Sequence, residues 1–357
     1  MKALQIFAGP VARQRLQERG LQPGDVRLVP AAAGGPKGLV LLPLDRFLFG
    51  EWLPHSPHPV HLIGASIGAW RMATACLGDA QAGFDQLADD YIHQDYPHAP
   101  GKKPTARQVS QTFGAKLQQR FGGREAAVLS HPQWRLHVLA SRGRHLLHRQ
   151  GRWRTPLGYL GAFAANALGR GALGAWLERV VFSDPRDPLP LPLHDYRTQQ
   201  VALAAHNLQP SLLASCSIPF WLDAVHDIPG APAGAYWDGG ITDYHLHLDY
   251  AAMAEPGALV LYPHFQRHIV PGWLDKPFKR RHRATARLAN VVVLAPHPDW
   301  VARLPGGKLP DRGDFIAFGD DLQGRVRAWT RAWREAQRLA DEMAKVVQAG
   351  SLESLPL

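Results

Sequence analysis

The chain has 357 residues, with 40 Lys and Arg against 30 Asp and Glu, a formal net charge of +10. Hydrophobic residues make up 46% and charged residues 20%, enough apolar matter for a large core and too much for a disordered chain. The two cysteines, Cys76 and Cys216, exclude a disulfide framework and a cysteine-ligated zinc site.

At the N-terminus, Lys2 followed by Ala3 to Ala8 has the outline of a signal peptide. Gln5 and Pro10 break that outline and Arg13 follows, so the expectation is an intracellular chain. Residues 11–21 read as a helix ended by Pro23-Gly24, and 69–77 as a helix ended by Gly78. Apolar runs bounded by turn residues predict strands at 26–30, 60–63, 136–140, 200–205, 259–262 and 291–294. Near the C-terminus, Val326, Trp329, Trp333, Ala336, Leu339, Met343 and Val347 recur at three- and four-residue spacing, with arginines opposite. That pattern predicts a helix over 321–348 packed on the sheet. The longest uncharged apolar stretch, 155–169, ends at Arg170 and falls short of the ~20 residues that a membrane span needs.

Alternation of strands with helical patterns predicts an α/β fold with a mostly parallel central sheet and crossover helices. No linker divides the chain, so residues 1–357 read as one domain with an insertion or cap at about 91–193.

The sharpest local signal is Gly64-Ala65-Ser66-Ile67-Gly68, between the strand at 60–63 and helix-forming Ala69-Trp70-Arg71-Met72. A nucleophile elbow needs such a strand-turn-helix, which thrusts a serine hydroxyl outward while small residues on either side let the backbone turn. Upstream, Gly34-Gly35-Pro36-Lys37-Gly38 follows the strand at 26–30. Consecutive glycines can offer bare amides to an oxyanion, although Pro36 has none to give. A phosphate loop is a poor reading there, and equally at Gly101-Lys102 and Gly306-Gly307-Lys308, because no Ser or Thr follows the lysine. Further on stand Ala214-Ser215-Cys216-Ser217-Ile218-Pro219-Phe220 and then Asp238-Gly239-Gly240.

These four pieces, in this order over roughly residues 26 to 243, resemble the patatin-like phospholipase family. The resemblance implies a three-layer α/β/α domain and a Ser-Asp dyad, with Ser66 as nucleophile, Asp238 as base and no cofactor or metal. It also implies that Gly34, Gly35 and neighbouring positions through Gly38 form the oxyanion hole, that Lys37 holds a place usually taken by Arg or Lys, that Gly64 and Gly68 form the elbow, and that Gly239 and Gly240 support the aspartate. The implied activity is hydrolysis of lipid carboxylic esters through an acyl-enzyme. The chain departs from the family pattern at Ala33, which opens the glycine cluster, and at Tyr244 and Leu246, where many members have Asn and Pro.

Other readings stay open on the residues alone. An ordinary α/β-hydrolase would use a histidine base, for which His264, His282 or His297 qualify by position. His55, His58 and His61 are separated by prolines, while His245 and His247 could share a strand face with Asp243 and Asp249 near, as a metal site would want. Gly169-Arg170-Gly171-Ala172-Leu173-Gly174 matches a dinucleotide fingerprint as text but lacks the preceding strand. Residues 157–176 read as an apolar cap near the site or as a buried helical hairpin. Basic clusters at Lys276, Lys279, Arg280, Arg281 and Arg283, and at Arg142, Arg144, Arg149, Arg152 and Arg154, carry no nucleic-acid module. The expected partners are a lipid ester and, peripherally, an anionic membrane surface, in a cytoplasmic setting, with a non-catalytic basic membrane adaptor as the competing class.

Overall fold

The computed structural model describes residues 2–96, 104–253, 255, 257–350 and 352–357. The Gly101-Lys102 pair lies outside the described residues. The chain is a mixed α/β fold whose mostly parallel central sheet is flanked by helices, in agreement with the three-layer arrangement that the resemblance implies.

The strands are β1 (Leu4–Ala8), β2 (Val26–Ala31), β3 (Val60–Ala65), β4 (Trp134–Gly143), β5 (Leu177–Ser183), β6 (Thr198–Ala202), β7 (Val225–His226), β8 (Ala235–Asp238), β9 (Leu259–Pro263), β10 (Val291–Pro296) and β11 (Leu355–Pro356). The sheet runs β11-β1-β10-β9-β2-β3-β4-β5-β6, with β8 on β4 and β7 on β8. Every residue of β3, β9 and β10 is buried, including His61 of β3, as nearly continuous apolar strands covered on both faces should be. The signal-like N-terminal stretch is β1, antiparallel to β10, with Ala3, Ile6 and Phe7 in the core and the Ala3 and Leu4 amides held by Glu342.

Three expectations change. The strand expected at 200–205 is shifted to Thr198–Ala202, because Asn207 accepts the Ala204 amide (2.8 Å) and starts a helix at Ala205. The helix expected over 321–348 is two, Leu322–Glu335 and Gln337–Ala349, meeting where the Ala336 amide reaches both Ala332 and Trp333. The span 91–193 is not one excursion from the sheet, since it contains β4 and β5. What leaves the sheet is Ala106–Phe121 with Glu125–Leu129 before β4, and Arg154–Leu168 with Arg170–Leu173 after it.

One register sets up the rest. Along one edge of β4, β3 pairs in parallel up to Ala65 opposite Leu139, and β8 then pairs antiparallel with Asp238 opposite Ala140. The ends of β3 and β8 therefore abut at consecutive residues of one strand. The turn after β8 is pinned from below: Asp243 accepts two bonds from Arg179 (2.8 and 2.6 Å) and one from the Tyr196 hydroxyl (2.8 Å). Arg179 also bonds Asp195 (2.7 Å) and is wholly buried in β5. No helix among the described residues is long and apolar enough to cross a membrane.

Replacing Arg179 by Met leaves the buried Asp243 carboxylate without its bonded cation, with Arg170 at 3.9 Å the one remaining ion-pair partner among the described residues. The expected loss is about 3–5 kcal/mol in urea unfolding, against little or none for Arg149→Met, whose partner Asp227 is on the surface.

Candidate active site

Ser66 sits between β3 and the helix Ile67–Ala75, with φ 56° and ψ −131°. That conformation costs an L-residue roughly 1–3 kcal/mol, and two tethers hold it. The Ser66 amide donates to Ser215 Oγ (2.9 Å), and Ser215 Oγ donates to the Leu139 carbonyl (2.6 Å). The Ser66 carbonyl takes the Ala69 amide (2.9 Å), the first bond of the helix. Glycine is required on either side by close approach: a Cβ at Gly68 would lie 2.0 Å from the Ala31 carbonyl oxygen, and one at Gly64 would lie 2.5 Å from the Gly68 backbone. The helix N-terminus beneath the hydroxyl favours negative charge there.

Ser66 Oγ donates to Asp238 Oδ2 at 2.8 Å. The carboxylate's other oxygen accepts the Gly240 amide (2.7 Å), and the Asp238 amide donates to the Ser217 carbonyl (2.9 Å). Gly239 has no room for a side chain, since a Cβ would lie 2.2 Å from the Leu139 carbonyl oxygen. Both members of the pair are buried. Burial pushes the Asp238 carboxyl up to about 6, opposed by the positive Arg312, the Ser66 hydroxyl, the Gly240 amide and Lys276. Cys216, one of the two free cysteines, is buried beside them, and burial first and the Asp238 charge second hold its thiol well above the usual range.

The glycine cluster packs against the neighbours of this pair, with Gly38 on Ile67 and Ala33 beside Gly240. Gly35, Pro36, Lys37 and Gly38 open a tight 3-10 turn, Gly35–Leu41, whose first amides have no partner within it. Gly35 has φ +57°, and a side chain there would meet the Arg312 guanidinium, 3.3 Å from Nε. A Cβ at Gly34 would overlap the Phe265 ring at 2.5 Å, and one at Gly38 would press on Ile67 at 3.1 Å. The half-buried Lys37 ammonium lies 5.2 Å from the centre of the Phe265 ring; burial lowers its pKa and the nearby Asp311 works against that. Ala33, the family departure, is buried and gives its amide to the Tyr244 carbonyl (2.9 Å).

Among the described residues, no histidine hydrogen-bonds Ser66 or Asp238. His264 is buried, bonded to Gln266 and pushed down to about 3 by burial, which suits no base. His282 bonds the Asp275 carbonyl, and His297 caps a short helix through Asp299. His245 and His247 share no strand; they lie in irregular chain around Leu246, which has φ 42°, and His245 takes the Val270 amide. Among the described residues, no group of three or more His, Cys, Asp and Glu could hold a metal. Arg170, in the fingerprint-like segment, bonds Asp275 (2.5 Å) and the Thr242 carbonyl (2.9 Å).

Two residues at the site were not singled out by the sequence, although Tyr159 lies in the segment 157–176 read as a cap or a buried hairpin. Arg312 follows an aspartate in an irregular turn with no periodicity. Tyr159 comes from the helix Arg154–Leu168 and stacks edge-on against Trp237 (5.8 Å), the neighbour of Asp238.

No protein-family model matches the chain, and no curated protein matches it. Among solved structures, the type III effector protein ExoU aligns with 98% of this chain and 65% of its own, at 14% identity and a TM-score of 0.28. This chain thus spans less than two thirds of that neighbour, and a likeness this low carries nothing about chemistry.

A carboxyl whose native pKa of about 6 stands above the unfolded 3.8 costs stability once it ionises. Asp238→Asn is therefore expected to be as stable as the wild type or more so at pH 8, by up to roughly 3 kcal/mol. That gap closes as the pH falls through 6 toward 4, read by urea unfolding across the range.

Proposed function

We propose that the protein is a serine acyl hydrolase of lipid carboxylic esters, with Ser66 as nucleophile and Asp238 as general base. The observation that carries this reading is the 2.8 Å bond from a serine hydroxyl at a strained strand-to-helix turn to a buried carboxylate of raised pKa. In the first half-reaction Asp238 Oδ2 takes the hydroxyl proton as Ser66 Oγ bonds to the ester carbon. The carbonyl oxygen becomes an oxyanion facing amides of the 34–38 turn. Collapse expels the alcohol, which leaves with the proton held on Asp238. Water then gives Asp238 a proton and attacks the acyl-enzyme, releasing the acid and restoring both side chains. A carboxylate near pKa 6 is ionised at neutral pH yet more basic than an ordinary one, which suits that work.

A lipid rather than a water-soluble ester is favoured by the outer face of the helix Arg154–Leu168. Trp153, Leu157, Leu160, Phe163 and Leu168 turn outward, with Trp153 71% and Leu160 65% exposed. Beside them Phe220, held at φ 71°, and Trp221 are also exposed. Tyr159 touches both Phe220 and Trp237, so this apolar face adjoins the dyad. Phe163 stacks on Phe278 (5.9 Å), which joins the face to the basic segment at 276–283. Apolar residues rimmed by cations fit an anionic bilayer. Part of the basic charge serves the fold instead: Arg142 bonds Glu178 and Arg281 bonds Asp275.

Fluorophosphonate labelling tests the chemistry. Labelling is expected to vanish in Ser66→Ala and to fall at least about a hundredfold in rate in Asp238→Asn; unchanged labelling of Ser66→Ala would refute the assignment. The acid limb of kcat/KM is expected near pH 6 and to move upward in Arg312→Met, because removing the cation makes Asp238 easier to protonate. For docking, the double change Trp153→Ser and Leu160→Ser is expected to reduce flotation with anionic liposomes several-fold. Flotation of that variant equal to wild type would reject the face.

A further inference from the structure

Next to the dyad opens a cleft of about 660 Å³ whose lining includes Lys37, Lys276, Lys279, Arg283, His268 and His282. Among the described residues, no Asp or Glu lines it. Its inner wall belongs to the site, for Lys37 lies in the oxyanion turn and Tyr244 follows Asp238-Gly239-Gly240. Among the described residues, none of these four cations is within ion-pair distance of a carboxylate, while Arg281 in the same basic run is tied to Asp275 at 2.7 Å. The Lys276 ammonium instead rests over the Tyr244 ring (4.1 Å). Partial desolvation, then Arg312 and Lys37, push Lys276 down to about 8, with only Asp238 acting against them. His245, buried in the same wall, has an Nε2 with no partner. Like charges gathered around one hollow repel each other, and an anion placed among them reverses that cost.

We propose that this cleft is a head-group subsite, which takes the phosphate of an anionic acyl ester while the ester carbonyl lies at Ser66. The proposal rests on the acyl-hydrolase reading above. Phosphate suits it better than carboxylate, because its several oxygens can be shared among separate lysine point charges, whereas a carboxylate is best matched by one arginine fork. The lining cations come from two stretches of chain far apart in sequence, Lys37 and the run from Lys276 to Arg283, so that a ligand is approached from more than one side.

The test uses a pair of short-chain glycerol esters with one acyl group, one bearing phosphate and one neutral, both kept monomeric so that bilayer docking plays no part. For wild type, kcat/KM should favour the phosphate-bearing ester. In the double change Lys276→Met and Lys279→Met that ratio should fall by about tenfold or more, and Lys276→Arg should keep it. A ratio unchanged in the double variant overturns the proposal.

Calorimetric titration of Ser66→Ala protein with the phosphate-bearing ester and with inorganic phosphate separates the sources. Binding of both, weakened by the lysine changes, shows that the phosphate itself is read. Binding of the ester alone, equally weakened, shows that the whole head group is read. Affinities indifferent to the lysine changes reject the cleft. If neither ester is turned over while lysine-dependent binding persists, the acyl-hydrolase reading fails and the anion cleft stands.

Discussion

The candidate site depends on one strand serving two partners along the same edge. β4 carries β3 as far as Leu139 and β8 from Ala140 onward, so the chain leaves β3 at Ser66 where β8 brings in Asp238. A hydrogen bond between residues so far apart in sequence is a consequence of that register. β4 also supplies the Leu139 carbonyl that anchors Ser215, which in turn holds the Ser66 amide. A slip of one residue would turn each side chain to the opposite face and separate the pair. The glycines at 68 and 239 belong to the same constraint, because each lets a neighbouring strand's carbonyl come closer than any Cβ allows.

Electrostatics at the site are a balance between dryness and an unspent positive field. Burial raises the Asp238 carboxyl, while Arg312, the Ser66 hydroxyl, the Gly240 amide and Lys276 act against it and leave it at about 6. Behind the pair the charges are fully matched: Arg179 with Asp195 and Asp243, Arg170 and Arg281 with Asp275. In front they are not, with Lys37, Lys276, Lys279 and Arg283 around a hollow that has no carboxylate among the described residues. The arginines and aspartates around the turn after β8 cancel one another and add nothing to the net charge of +10, whereas the four cations around the hollow contribute to it in full.

Much of the sheet was legible in the amino-acid order. β9 and β10 are uninterrupted apolar runs, and β2 and β3 are broken only at Arg27 and His61; such runs leave few alternatives to a covered strand. β5 was hidden because Leu177-Glu178-Arg179-Val180-Val181-Phe182-Ser183 carries two charges at its start. Both are buried, and their partners Arg142, Arg197, Asp195 and Asp243 come from other segments. β8 was hidden by its length of four residues. In the helix Arg154–Leu168 the apolar residues cover two faces, one on Trp237 and one in solvent, so periodicity alone could not tell a cap from a buried hairpin.

The sequence by itself determined the turn at Ser66, since strand, glycines and helix are neighbours along the chain and their sterics are local. It also determined the class of fold, through the alternation of apolar runs and helical patterns. Only the tertiary structure decided that Ser66 meets Asp238 rather than a histidine, that Arg312 stands over the glycine turn, and which basic residues remain unpaired. Each of these is a contact between segments far apart in the chain. Such contacts are set by strand register and by which charges burial forces together, and no window of residues contains that information.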